Sequence, residues 1–161
     1  MLGNFILGGG SLSSRLGDRV RQTEGLSYSV ASRVSGRAKD DRVDFMLYAI
    51  TNPQNKDILI EVIREEIDLL RDQGITEDEL QRAKKSYLDS ARVRRANDRN
   101  LANELVGTIF NKRTMQFHAD HEQRIRAATV ESVNEAIRKY IVPEKLVMAV
   151  GGDFASVTTE E

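Results

Sequence analysis

The sequence predicts an α+β domain in which a block of helices packs on one face of an antiparallel sheet. Three observations carry that prediction. Two β-patterned runs, one around Tyr28 and one over residues 43–51, flank a polar loop and read as a hairpin. Amphipathic helical patterns then follow one another almost without interruption as far as Tyr140. A last apolar run, residues 146–150, reads as a short buried strand returning to the sheet.

The elements can be justified in chain order. Leu2, Phe5 and Ile6 look like the end of a helix that runs into Gly8, Gly9 and Gly10. Glycines before a helix can present backbone amides to an anion. Here no Gly-Lys-Ser/Thr ending and no dinucleotide fingerprint follows, so the run reads as a tight helix-helix turn. Leu12, Leu16 and Val20 recur every four residues and predict a helix over 13–23. Arg21 lies off that stripe, in line with Ser14 and Asp18, and Gly25 can end the helix in the left-handed conformation. Leu26, Tyr28 and Val30 alternate with Ser27, Ser29 and Ala31, which predicts a strand with Tyr28 on its apolar face. Taken alone, such a tyrosine is a core aromatic, and such an arginine is a solvated charge at the negative end of a helix.

Residues 35–41 form the polar loop, and 43–51 are apolar enough to predict a second strand buried on much of both faces. Asn52-Pro53 ends it. Ile58, Leu59, Val62, Ile63, Ile67 and Leu70 mark a long amphipathic helix that Gly74 closes. Thr76 and Glu79 have the spacing of a capping box for the next helix, whose stripe is Leu80, Ala83, Tyr87 and Ala91. The charged stretch 92–100 reads as a solvated face or joint before a helix marked by Leu101, Leu105, Ile109 and Phe110. A further helix spans about 115–127, and a last one starts at Thr129 as N-cap and ends before Pro143. Residues 154–161 are expected to be a frayed tail.

Composition narrows the function classes. The 161 residues suit one domain, 1–161, with a sizeable core. Twenty-four basic residues nearly balance 25 acidic ones, and neither sign gathers in one half, so no nucleic-acid footprint is expected. The chain has no cysteine, which excludes disulfides and thiolate zinc sites. No apolar run approaches the roughly 18 residues of a membrane span, and the start lacks the basic residues of a signal peptide. A soluble chain is expected, and the bacterial cytoplasm and periplasm both stay open.

Residues 4–10, Ser14-Arg15-Leu16, Arg21 and Gly25-Leu26-Ser27-Tyr28-Ser29-Val30 resemble, in that order, the C-terminal-half signature of the pitrilysin/insulinase family of zinc peptidases. The likeness continues through Gly74-Ile75-Thr76-Glu77-Asp78-Glu79-Leu80 and Gly151-Gly152-Asp153, so it covers almost the whole chain. The resemblance implies the inactive C-terminal domain of a larger protein with a zinc-peptidase-like metallohydrolase fold, N-terminally truncated before Leu2. It implies that Arg21 and Tyr28 bind substrate, contacting an extended peptide near the scissile bond. It also implies a partner, the catalytic zinc-binding domain of the same or another polypeptide, which encloses the substrate in a chamber. The alternative is a scaffold or assembly domain of the same fold with no peptidase role.

The family's catalytic half carries His-x-x-Glu-His, in which two histidines and a distant glutamate hold zinc and the motif glutamate acts as base. This chain has only His118 and His121, in the order His-x-x-His-Glu with Glu122. No third ligand is signalled, so no metal is expected here, and the two histidines read as part of a polar, solvated helix face. No serine-histidine-aspartate or cysteine-histidine set replaces the motif. The isolated chain is therefore expected not to be a catalyst, with zinc confined to the catalytic half of the parent.

Overall fold

The structure, a computed structural model, describes residues 1–10 and 14–153. Helix α1 (Leu2–Asn4) continues directly into wider turns over Phe5–Gly9, where the amide of Gly10 donates to the carbonyl of Phe5 at 2.9 Å. A second wide helix, Gly17–Thr23, follows. Strands β1 (Ser29–Gly36) and β2 (Val43–Ile50) form an antiparallel hairpin. Five α-helices follow among the described residues: α2 (Lys56–Gln73), α3 (Glu77–Arg95), α4 (Asp98–Phe110), α5 (Gln116–Ala127) and α6 (Val130–Tyr140).

The N-terminal segment is the centre of the packing. It touches β1 on one side and α3 and α6 on others. Leu7, Leu16 and Val20 are fully buried with Leu70 and Leu80, and Ile67, Ile75, Ile125, Val133 and Ile137 extend the same core. Each such side chain stabilises the fold by roughly 1.5–3 kcal/mol relative to exposure. Gly8 allows the closest approach: a Cβ there would lie 2.7 Å from the Ser32 backbone nitrogen on β1. Hydrogen bonds between Asn4 and Ser32 run both ways across that contact, at 3.3 and 3.4 Å.

An α+β architecture with helices on one sheet face is thus what the chain adopts. Phe45, Leu47 and Ala49 of β2 and Val30 of β1 pack on the core. The expectation that residues 43–51 are buried on both faces is overturned. Met46, Tyr48 and Ile50 point away from the helices and are exposed, because nothing among the described residues lies on that side of the hairpin. The expected buried strand at 146–150 is also overturned. Among the described residues that run pairs with no strand, and Val147 is 97% exposed. The expected tail at 154–161, Leu12 and the first residue of the helix expected over 13–23 lie outside the described residues.

Helix ends follow the local rules. Thr76 Oγ1 accepts from the Glu79 amide and Glu79 accepts from the Thr76 amide, a complete capping box. Thr129 and Ser132 form the equivalent pair before α6, and Asn97 caps α4 by accepting from the Asn100 amide. Glu79 has a second task. Arg15 donates to both of its carboxylate oxygens, at 2.7 and 2.9 Å, and to the carbonyl of Gly74 at 2.8 Å. Burial alone would raise the Glu79 carboxyl, but its hydrogen bonds from Arg15 and Thr76 outweigh that and hold it below the usual glutamate value. Glu66, buried nearby with Arg15 Nη1 at 4.0 Å, is pushed up by burial, which the Arg15 charge offsets only in part.

The two glutamates therefore have opposite pH signatures. The stability that Glu79 contributes is present above its unfolded pKa and disappears as pH falls through its depressed folded value; the Glu66 contribution is complete below its unfolded pKa and disappears as pH rises through its raised one. Thermal unfolding across the acid range is expected to show a shallower loss of stability in Glu79→Gln than in the unmodified chain, and Glu66→Gln is expected to remove the fall in stability as pH rises just above the ordinary glutamate range. Arg15→Met, which leaves both carboxylates without their partner, is expected to cost about 2–3 kcal/mol in urea unfolding at neutral pH.

Candidate functional site

Arg21 and Tyr28 sit on either side of the turn that joins the second wide helix to the hairpin. The helix begins after Ser14, whose Oγ accepts from the Gly17 amide at 3.2 Å. It ends with the Glu24 amide donating to the Arg19 carbonyl at 3.0 Å and the Leu26 amide reaching back to Val20 at 2.9 Å. Gly25, at φ +63°, makes that reversal. The helix end is also tied sideways: Arg19 donates to Glu24 at 2.9 Å and to Glu65 of α2 at 3.1 Å. Arg21, on the last turn, is half-buried.

After the turn, the chain is fixed to the end of β2. Thr51 Oγ1 donates to the Leu26 carbonyl. The buried Ser27 hydroxyl lies within hydrogen-bond distance of the carbonyls of Ile50 and Ser29, and its one proton serves one at a time. These two hydroxyls set the exit direction of the strand. Strand pairing starts at Ser29 opposite Ile50, so Tyr28 stands just outside it.

The expected alternation of Leu26, Tyr28 and Val30 on one apolar face is overturned as a result. Leu26 and Val30 pack on the core, but Ser27 is turned inward and Tyr28 is 89% exposed. The reading of Tyr28 as a core aromatic falls with it. The site's anchors, Ser27 and Thr51, were not singled out in the sequence; a serine between two large residues at the foot of a strand is the signal that marks the first of them.

The histidines are not the solvated polar face that their sequence suggested. Both are half-buried where α3, α4 and α5 meet. His118 Nε2 shares a hydrogen bond with Thr108 Oγ1 at 2.9 Å, and its Nδ1 lies 3.5 Å from Glu104. His121 Nε2 is 3.1 Å from the Tyr87 hydroxyl. Burial lowers the His121 pKa, with Arg124 and His118 adding to the effect. Glu122 is taken by Arg95, which also donates to Glu104 at 2.8 Å. Among the described residues, no group of three or more histidine, aspartate or glutamate side chains is arranged to hold a metal ion. A resident zinc does not fit this set: the two imidazoles are directed at different helices and the carboxylates are engaged by Arg95.

A helix closed by a glycine turn, a two-hydroxyl anchor and an exposed tyrosine thus stand on an α+β frame with no metal set among the described residues. The model of the peptidase M16 inactive domain matches residues 1–87, more than half of the chain, and the chain belongs to that family, the pitrilysin/insulinase family of zinc peptidases. An uncharacterized zinc protease of Streptomyces coelicolor is 42% identical over 80 residues, 50% of this chain and 17% of that protein. The non-peptidase homolog YmxG of Helicobacter pylori is 26% identical over 148 residues, 91% of this chain and 33% of that protein. A crystal structure of the peptidase M16 inactive domain from Pseudomonas fluorescens is 27% identical and superposes with a TM-score of 0.76, covering 88% of this chain and 33% of that one. The chain thus spans a third or less of the length of these curated relatives. No described helix is long and apolar enough to cross a membrane.

No atom lies within 4 Å of where a Cβ on Gly25 would stand, so a side chain there meets only the backbone penalty of the left-handed region. Gly25→Ala is expected to lower stability by about 1–2 kcal/mol in chemical denaturation, with Gly25→Asn losing less.

Proposed function

We propose that this chain is the substrate-contacting, non-catalytic partner domain of a zinc metallopeptidase that cleaves peptides or unfolded segments in an enclosed chamber. The observation that carries the reading is the exposure of Tyr28 at a fixed point of the backbone, one turn beyond Arg21. A phenol 89% open to solvent contributes little to folding, yet the backbone that carries it is anchored through Ser27 and Thr51. That placement suits donation to a carbonyl of an extended peptide. Arg21 adds a planar fork of donors that suits neighbouring carbonyls.

In this reading the domain does not activate water. Its part is orientation: Tyr28 donates toward the carbonyl of the scissile region, and Arg21 grips the backbone beside it. The zinc-bearing half supplies the metal chemistry. A donor directed at a developing oxyanion is worth roughly 3–4 kcal/mol, and one that only grips the ground state lowers KM without raising kcat.

A second reading has an observation of its own. The relative aligned over 91% of this chain is named a non-peptidase homolog, so the fold can serve without proteolysis. The other half of the parent separates the two readings, since scaffolding needs no intact inverted zinc motif there.

The test uses the complete protein. Tyr28→Phe is expected to cut kcat by about 10²–10³ with a smaller change in KM, and Arg21→Ala is expected to raise KM more than it lowers kcat. Stability is expected to stay within about 0.5 kcal/mol for Tyr28→Phe, because the side chain is exposed. Full activity in both variants would overturn the role assigned to the pair.

A further inference from the structure

The inward side of the chain slips by one residue just before β1. Within a regular strand the inward positions repeat every two residues, as Val30, packed on the core, and Ser32, buried, do. The inward residue before them is Ser27, three positions ahead of Val30 and only 5% exposed. Tyr28 falls in the gap, where the chain bends, and is 89% exposed.

Two hydroxyls hold the slip in place. Thr51, just past the end of β2, donates from Oγ1 to the Leu26 carbonyl, and the Leu26 amide is itself committed to the Val20 carbonyl at 2.9 Å. Ser27 answers from the facing segment, with Oγ within hydrogen-bond distance of the Ile50 carbonyl and 3.0 Å from that of Ser29. Hydroxyl-to-carbonyl bonds thus run in both directions across the foot of the hairpin, in the place where a continued ladder would use backbone amides. The register sets Ser29 opposite Ile50, so the next pair in that ladder would be Tyr28 with Thr51. Such a pair would carry the phenol to the Val30 side, against the helices, because alternate residues of a paired strand share a face. Leu26, Tyr28 and Val30 have the alternation of that longer strand, and the hydroxyl bonds hold the chain in the other phase.

We propose that Ser27 and Thr51 are positioning residues for Tyr28: their hydroxyls latch the hairpin one pair short of the ladder that the sequence pattern favours, which keeps the phenol on the open side where a peptide can reach it. The functional half of this inference rests on Tyr28 as a donor to substrate. The latch itself is a property of the chain alone, and the two are separable by experiment.

The test has two arms. In the first, the chain is nitrated with tetranitromethane and the modified tyrosines are located by peptide mass. Nitration of Tyr28 is expected to fall in Ser27→Ala and in Thr51→Val, while that of Tyr140, 72% exposed, is unchanged. Thr51→Ser, which keeps the hydroxyl, is expected to react as the unmodified chain does. Undiminished nitration of Tyr28 in both hydroxyl-free variants would overturn the latch. In the second arm the complete protein cleaves an unfolded peptide. Ser27→Ala and Thr51→Val are each expected to lower kcat about tenfold or more with a smaller change in KM, and Thr51→Ser is expected to restore it. In a Tyr28→Phe background the same substitutions are expected to cost nothing further, because the latch acts through the phenol. Losses that add to that of Tyr28→Phe would overturn the positioning role and leave the hydroxyls a purely structural one. Full activity in Tyr28→Phe alone would overturn the substrate contact, and with it the use of the latch, while the nitration arm still decides whether the latch exists.

Discussion

The Arg15 guanidinium decides where the N-terminal helices lie. It spans from the start of the second wide helix to the corner between α2 and α3, donating to both oxygens of Glu79 and to the Gly74 carbonyl. Glu79 is itself fixed, because it closes the cap of α3. A planar fork matched to a carboxylate and a carbonyl leaves little freedom in the angle between the elements, which a lysine ammonium would not restrict in the same way. The direction of the wide helix then sets where its last turn, Arg21 and the Gly25 reversal emerge. Ser14-Arg15-Leu16, a motif that resembles part of a peptidase signature, is in this sense a structural device that positions the turn between Arg21 and Tyr28.

Much of this was legible in the sequence, because caps and stripes are local. Thr76 with Glu79, Thr129 at its helix start, Gly25 and Gly74 at helix ends, and the hairpin all stand where short-range chemistry put them. The wide turns were not legible. Leu16 and Val20 are four apart and remain buried whether each turn holds a little under or a little over four residues, so spacing alone does not report the register. Tyr28 was misplaced for a different reason. Period-2 alternation fixes sides only within a paired strand, and the Ser27 hydroxyl, held by the carbonyl at the end of β2, delays pairing by a residue. That bond joins residues 23 apart in sequence and leaves no trace in the pattern around it.

Residues 43–51, 146–150 and the stripe of α4 share one lesson. Apolar side chains record what a surface is suited to meet, and burial also requires something to meet it. β2 has helices on one side, so half of its apolar residues are covered and Met46, Tyr48 and Ile50 are not. The histidines err in the opposite sense: residues that pattern as surface polar groups are drawn inward because α4 offers Glu104 and Thr108 to His118 and α3 offers Tyr87 to His121. A helix that presents polar groups inward and apolar groups outward reverses both expectations at once.

That inward polar cluster also explains why the two histidines and their carboxylate neighbours do not form a metal set among the described residues. His118, His121 and Glu122 are each occupied by a neighbour on another helix: Thr108, Tyr87 and Arg95. Gathering them around a metal ion would release three contacts that hold α5 against α3 and α4, and the ion would still face only two imidazoles three residues apart. The packing of the helical block and the binding of zinc therefore compete for the same side chains, and in this chain packing has them. The geometry that this packing leaves at the other end of the frame is that of Arg21 on the last turn of the wide helix and Tyr28 just before β1.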